Sequence, residues 1–130
     1  MDKSQAKSND AFMSRLIVIV ESDRSENERI DQAVTLCTTY IADVKARHQI
    51  AARKQVNPQE RAIIESDVAT VRNKIARREA LLPNQSDRRR VLRVARVAIE
   101  MEACSSNAIG EILKDELVTD HADISARTSR

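Results

Sequence analysis

The sequence predicts an all-α fold: an elongated antiparallel helical hairpin, built out to a three- or four-helix bundle with coiled-coil-like packing, and dimeric. Three observations lead there. The 130 residues include one glycine, two prolines and two aromatics, Phe12 and Tyr40. That composition nearly excludes β-sandwiches, small barrels and doubly wound sheets, which depend on tight turns. Apolar residues recur at 4-3 spacing along two long stretches, the pattern of a packed helical seam. Cap residues and prolines, not glycines, punctuate those stretches. A single glycine also leaves no phosphate-cradling loop of the Walker A or dinucleotide type.

Taken in chain order, residues 1–10 are polar and aperiodic and are expected to be a flexible terminus. Ala11 to Glu21 carries Phe12, Leu16, Ile19 and Val20 at helical spacing. Its Leu-Ile-Val-Ile-Val core would also suit a strand, but a short helix fits the helical remainder. The first long helix starts after Ser25, with Glu28 three residues on as a capping-box partner. Its seam is Ile30, Val34, Cys37, Ile41, Val44, His48 and Ala51, and it is expected to end near Val56.

Asn57-Pro58-Gln59-Glu60 supplies a cap, a proline at the first helical position and a glutamate at the third. One helix therefore ends as the next begins, giving an antiparallel hairpin. The second long helix runs from Pro58 to Leu82 on a seam of Ile64, Val68, Val71, Ile75 and Leu82, interrupted by Arg78. Pro83 stops it. Ser86 caps a third helix, Asp87 to about Cys104, with Arg89, Arg93, Arg96 and Glu100 in one stripe and apolar residues over most of the rest. So apolar a helix needs neighbours on several sides. Two partner helices from a short chain hardly provide them, which suggests a homodimer. Ile109, Ile112, Leu113 and Leu117 give one more amphipathic segment. The expected organisation is a flexible 1–10, one helical domain over 11–118 and a flexible polar tail over 119–130.

The longest apolar run, Leu16 to Val20, has five residues, against about 20 for a membrane span, and no secretory signal is recognisable. A soluble, cytoplasmic protein is expected. Cys37 and Cys104 have no metal or redox spacing, and Cys37 falls on the seam as a small hydrophobe. His48 lacks ligand partners a helical turn away, and His121 with Asp120 and Asp123 lacks a scaffold. Glu100 and Glu102 occupy different helix faces, and no serine has a nucleophile-elbow context. The chain reads as non-enzymatic, with no catalytic residue, metal or cofactor.

The formal net charge of +2 hides a segregation. Residues 1–44 carry 5 basic and 8 acidic side chains, residues 45–96 carry 14 and 5, and residues 97–130 carry 3 and 7. Sixteen arginines against six lysines favour bidentate contacts to phosphate. Arg77, Arg78, Arg88, Arg89 and Arg90 flank the turn at Pro83, and Arg93 and Arg96 extend them along a helix. Lys45, Arg47, Arg53 and Lys54 form a second patch by Asn57-Pro58. These eleven residues are the candidate site for a nucleic-acid duplex, RNA or DNA, gripped by its backbone without sequence preference. Two aromatics make no stacking platform for single strands.

The competing reading pairs these arginines with carboxylates inside the bundle. The five around one turn outnumber Glu79 and Asp87, their acidic neighbours in the chain, and that favours phosphate. A protein-interaction module, a scaffold or an inhibitor, using the same charges on an acidic partner is the alternative. In outline only, a small dimeric helical hairpin lined with arginines is similar to the duplex-RNA-binding silencing suppressors of some small RNA viruses. That resemblance implies duplex binding by a viral or phage accessory factor and carries no site residue across.

Overall fold

The computed structural model describes residues 3–52 and 54–104. They form four helices: α1 (Lys3–Glu21), α2 (Glu26–Arg47), α3 (Pro58–Ala80) and α4 (Asp87–Cys104). The all-helical class expected from composition is what the described residues adopt. The amphipathic segment at 109–118, the tail at 119–130 and Arg53 lie outside the described residues.

Each start has a local cause. The Ser25 hydroxyl accepts the Glu28 N–H at 3.2 Å to begin α2. Asn57 and Glu60 exchange reciprocal side-chain and backbone bonds at 2.8 and 3.1 Å around Pro58 to begin α3, satisfying two otherwise orphaned donors. The seam of α3 is buried as expected at Ile64, Val68, Val71 and Ile75, but it continues into Glu79 and leaves Leu82 only half-buried.

Two element boundaries differ from expectation. Helix α1 reaches back to Lys3, through the stretch expected to be flexible, and excludes the strand alternative for 11–21. Its polar first turns are anchored: Gln5 and Asn9 are 2% and 4% exposed. The Gln5 amide donates to Asn9 Oδ1 at 2.7 Å, the Tyr40 hydroxyl donates to the same oxygen at 2.5 Å, and Arg47 donates to Gln5 Oε1. Phe12 stacks on Tyr40 beside them, with ring centroids 4.5 Å apart.

Helix α2 ends at Arg47, well before Val56. Gln49 takes the left-handed conformation at φ 60°, the Gln49 N–H donates to Ala46 O at 3.0 Å, and the Ile50 N–H donates to Lys45 O at 2.8 Å. This is a Schellman stop, with Ile50 buried as its hydrophobic contact. The seam therefore does not extend to His48 or Ala51, both of which are exposed.

The packing also differs from a hairpin. Helix α1 packs on α2 and α3, and α4 packs on the same two from the other side, so α2 and α3 lie across a diagonal of the bundle. The connection from α2 to α3 therefore crosses that diagonal. Helices α2 and α4 run parallel, since Arg29 meets Asp87 and Cys37 meets Ala95 at one constant offset of 58. Helices α1 and α2 are antiparallel through the Gln5–Arg47 and Asn9–Tyr40 contacts. Helices α3 and α4 are antiparallel through Glu79–Arg96 and Leu82–Arg89. Val91, Leu92, Val94, Ala95, Val97, Ala98 and Ile99 of α4 are all buried within this one chain. The reason given above for a second copy therefore falls away: three helices of the same chain supply the cover.

Candidate binding surface

One end of the bundle gathers the loops at 22–25 and 81–86, the starts of α2 and α4 and the ends of α1 and α3. Most of the expected arginines stand there, already engaged. Arg90 grips Glu26 with two bonds of 2.5 and 3.1 Å and donates to Gln85 O at 2.9 Å. Its guanidinium is held protonated above its ordinary range, first by the hydrogen bond to Glu26. Arg88 pairs with Glu21 at 3.2 Å. Arg96 takes both oxygens of Glu79, at 2.7 and 3.3 Å, and reaches Glu100 at 4.0 Å. Arg89 donates to Leu82 O at 2.8 Å, and Arg93 is half-buried.

Glu79 is one of the acids visible nearby in the chain, but the two that hold Arg88 and Arg90 are not. Glu21 comes from the end of α1 and Glu26 from the start of α2. Arg29, a residue absent from the expected site, is the centre of this end. Buried at 7% exposure, it donates to Val20 O at 3.1 Å, to Arg24 O at 3.0 Å and to the Asp87 carboxylate. That bond holds the Asp87 carboxyl below its usual range, against a smaller opposing effect of burial. An open cleft of about 510 Å³ between the two loops is lined by these charges, including Asp23, Arg24, Arg29 and Asp87.

The second expected patch does not assemble as drawn. Lys45 is fully buried and donates to Ala52 O at 3.4 Å, so it is not a surface cation. Arg47 is bound to Gln5, and Lys54 pairs with Glu60 at 3.4 Å. Arg53 lies outside the described residues. His48, expected on the seam, instead sits in the open with its Nε2 at 2.6 Å from Asp67 Oδ2.

Arg77 and Arg78 are different. They are exposed, and their side chains, like that of Lys74, take part in no ion pair or hydrogen bond among the described residues. All three line a groove between α1 and α3 whose apolar part is Met13, Ile17 and Leu81, with a volume of about 480 Å³. It adjoins a smaller apolar cleft of about 170 Å³ formed with Val20, Leu82 and Leu92. Leu81 is 85% exposed. This groove was missed in the sequence, where Leu82 was read as the last residue of the seam and Leu81 was given no role. The signal that would have found it is that Leu81 falls on the heptad line of Glu60, Asp67 and Lys74, off the buried seam of Ile64, Val68, Val71 and Ile75.

No cluster of three metal-ligating side chains occurs among the described residues. Cys37 is buried with its Sγ 3.4 Å from Ala95 O, and burial pushes its thiol far up, aided by the Glu102 charge. Burial likewise raises the Glu102 carboxyl, though Lys45 and Thr38 oppose the shift. Among the described residues, no helix is long and apolar enough to cross a membrane. No family model, curated protein or solved structure matches this chain.

Proposed function

We propose that this chain is a non-enzymatic interaction module whose α1–α3 groove takes an acidic amphipathic helix of a partner protein. One observation carries the reading: the side chains of Lys74, Arg77 and Arg78 meet no carboxylate among the described residues and border an apolar groove in which Leu81 lies open to solvent. An exposed apolar strip with a charged rim is the form of a helix-in-groove site. Apolar contact supplies the affinity and the rim selects the sign of the partner.

A duplex backbone is the second reading, because three unpaired cations on one exposed helix edge also suit phosphates. Its footprint is narrower than the sequence promised. Arg88, Arg90 and Arg96 already hold Glu21, Glu26 and Glu79, so each would trade one ion pair for another. Self-association as a homodimer is compatible with either reading.

Fluorescence anisotropy separates these readings. The probes are a designed peptide helix with leucines on one face and glutamates beside them, its lysine counterpart, and short RNA and DNA duplexes, at about 50 and about 200 mM salt. The glutamate peptide is expected to bind, to lose binding with Arg77→Glu/Arg78→Glu, and to survive the higher salt. Duplex binding that collapses with salt, with no peptide binding, would overturn the groove reading in favour of the backbone one.

A further inference from the structure

The sequence holds a segment with the chemistry that the groove selects. Beyond α4, residues 109–118 read Ile-Gly-Glu-Ile-Leu-Lys-Asp-Glu-Leu-Val. At helical spacing Ile109, Ile112, Leu113 and Leu117 fall on one stripe, with Asp115 and Glu116 on the Ile112 side of it. Glu111, Asp115 and Glu116 against the single Lys114 make the segment acidic. The groove is its complement: Met13, Ile17 and Leu81 form the apolar part, and Lys74, Arg77 and Arg78 form the rim. Glu21, which lines the adjoining apolar cleft, is already held by Arg88.

The segment also starts within reach. Helices α3 and α4 are antiparallel, with Glu79 beside Arg96, so Cys104 at the end of α4 is level with Val71, about one turn before Lys74. The chain from Cys104 to Ile109 spans up to about 17 Å when extended. In the packing order α3 stands between α4 and α1, and the axes of packed helices lie about 8–10 Å apart. We infer that residues 109–118 dock as an amphipathic helix in the α1–α3 groove of the same chain, holding the place of the partner helix until it displaces them. This rests on the groove reading above. So short a helix is marginal alone in water, and Gly110 weakens it further, so the groove supplies what keeps it helical. Tethering presents the segment at an effective concentration on the order of millimolar, and a modest affinity is then enough to fill the groove.

Methyl NMR and anisotropy on the full chain test this. With Cys104→Ser in place and Cys37 buried, a nitroxide at Thr119→Cys is expected to broaden the Ile17 and Leu81 methyl signals. Dilution of that doubly labelled chain with unlabelled chain should leave the broadening unchanged. Broadening that fades on dilution would assign the segment to a second copy and overturn docking within the chain. Ile112→Ser/Leu113→Ser/Leu117→Ser should abolish the broadening. It should also let the glutamate peptide bind about tenfold tighter, because a groove filled about nine times in ten weakens a competitor by that factor. Arg77→Glu/Arg78→Glu should release the segment as well, and adding Asp115→Lys/Glu116→Lys should bring it back, with circular dichroism confirming that each variant folds. No broadening, with the peptide bound equally by parent and triple variant, would overturn the docking and leave the groove reading standing. No broadening, with the peptide bound by neither, would overturn the groove reading itself.

Discussion

Arg29 joins three helices through one guanidinium. Its Nη1 bonds the Val20 carbonyl at the end of α1, its Nε bonds Arg24 O in the loop, and its Nη2 meets Asp87 at the start of α4. Two of the three partners are buried or half-buried backbone carbonyls, which lose their only strong donor if the side chain is removed. Arg29→Met should therefore cost about 2 kcal/mol or more. Asp87→Asn should cost less, about 0.5–1 kcal/mol, because that carboxylate is 44% exposed and solvent screens the pair. The pH dependence follows from the same bond. Asp87 has a folded pKa below its unfolded value, so its contribution is present above the ordinary carboxylate range near about 4 and is lost as pH falls through the folded value. Urea midpoints measured at neutral and at acid pH should fall less steeply in Asp87→Asn than in the parent chain. An identical fall in both would remove Asp87 from the acid response.

The end of α2 is the clearest case of an element set by a feature that composition conceals. A helix stop of this form takes glycine by preference at the left-handed position, and the chain has one glycine in all, at position 110. Gln49 fills the role instead, at a cost of about 1 kcal/mol relative to glycine. Gln49→Gly should accordingly raise the urea midpoint by about 0.5–1 kcal/mol of stability while leaving the helix content unchanged. A loss of stability would mean that the Gln49 side chain makes a contact worth more than the backbone strain. The starts of α2 and α3 needed no such disguise, since Ser25, Asn57 and Pro58 announce them by residue type. The buried seam of α3 was equally plain, because Ile64, Val68, Val71 and Ile75 differ sharply from the polar residues between them.

For the bundle as a unit, the arrangement of four helices with α2 and α3 on a diagonal changes what the apolar α4 implies. With α2 on one side, α3 on the other and α1 opposite, its apolar circumference is covered in one chain. The thermal midpoint of the described core is then expected to be independent of protein concentration over a hundredfold range, because a fold that needs its partner gains stability by mass action. A midpoint that rises with concentration would reinstate a second copy as part of the fold. The same arrangement carries the ion pairs of the arginine end. Helices α1 and α2 belong to the net-negative first third of the sequence, and their adjoining ends bring Glu21 and Glu26 against Arg88 and Arg90 of the net-positive middle. Part of what looked like a surplus of arginine is a match between distant segments, whereas Lys74, Arg77 and Arg78 are among the cations with no such match among the described residues.

Helical class, the seam of α3 from Ile64 to Ile75, the span of α4 and the N-caps Ser25 and Asn57 were legible in the residue order. Each depends on interactions within one or two turns, where periodicity and side-chain type suffice. The candidate site was legible only in part: Arg77 and Arg78 stand out as exposed cations, whereas Lys45 is buried and Arg88, Arg90 and Arg96 are paired. Those outcomes were fixed by contacts between residues 17 to 67 positions apart, among them Arg96–Glu79, Arg90–Glu26 and Arg88–Glu21. Helical periodicity sets which residues share a face but says nothing of which helix that face will meet. Only the packing order α1, α2, α4, α3 around the bundle decides whether an arginine finds a carboxylate or a groove.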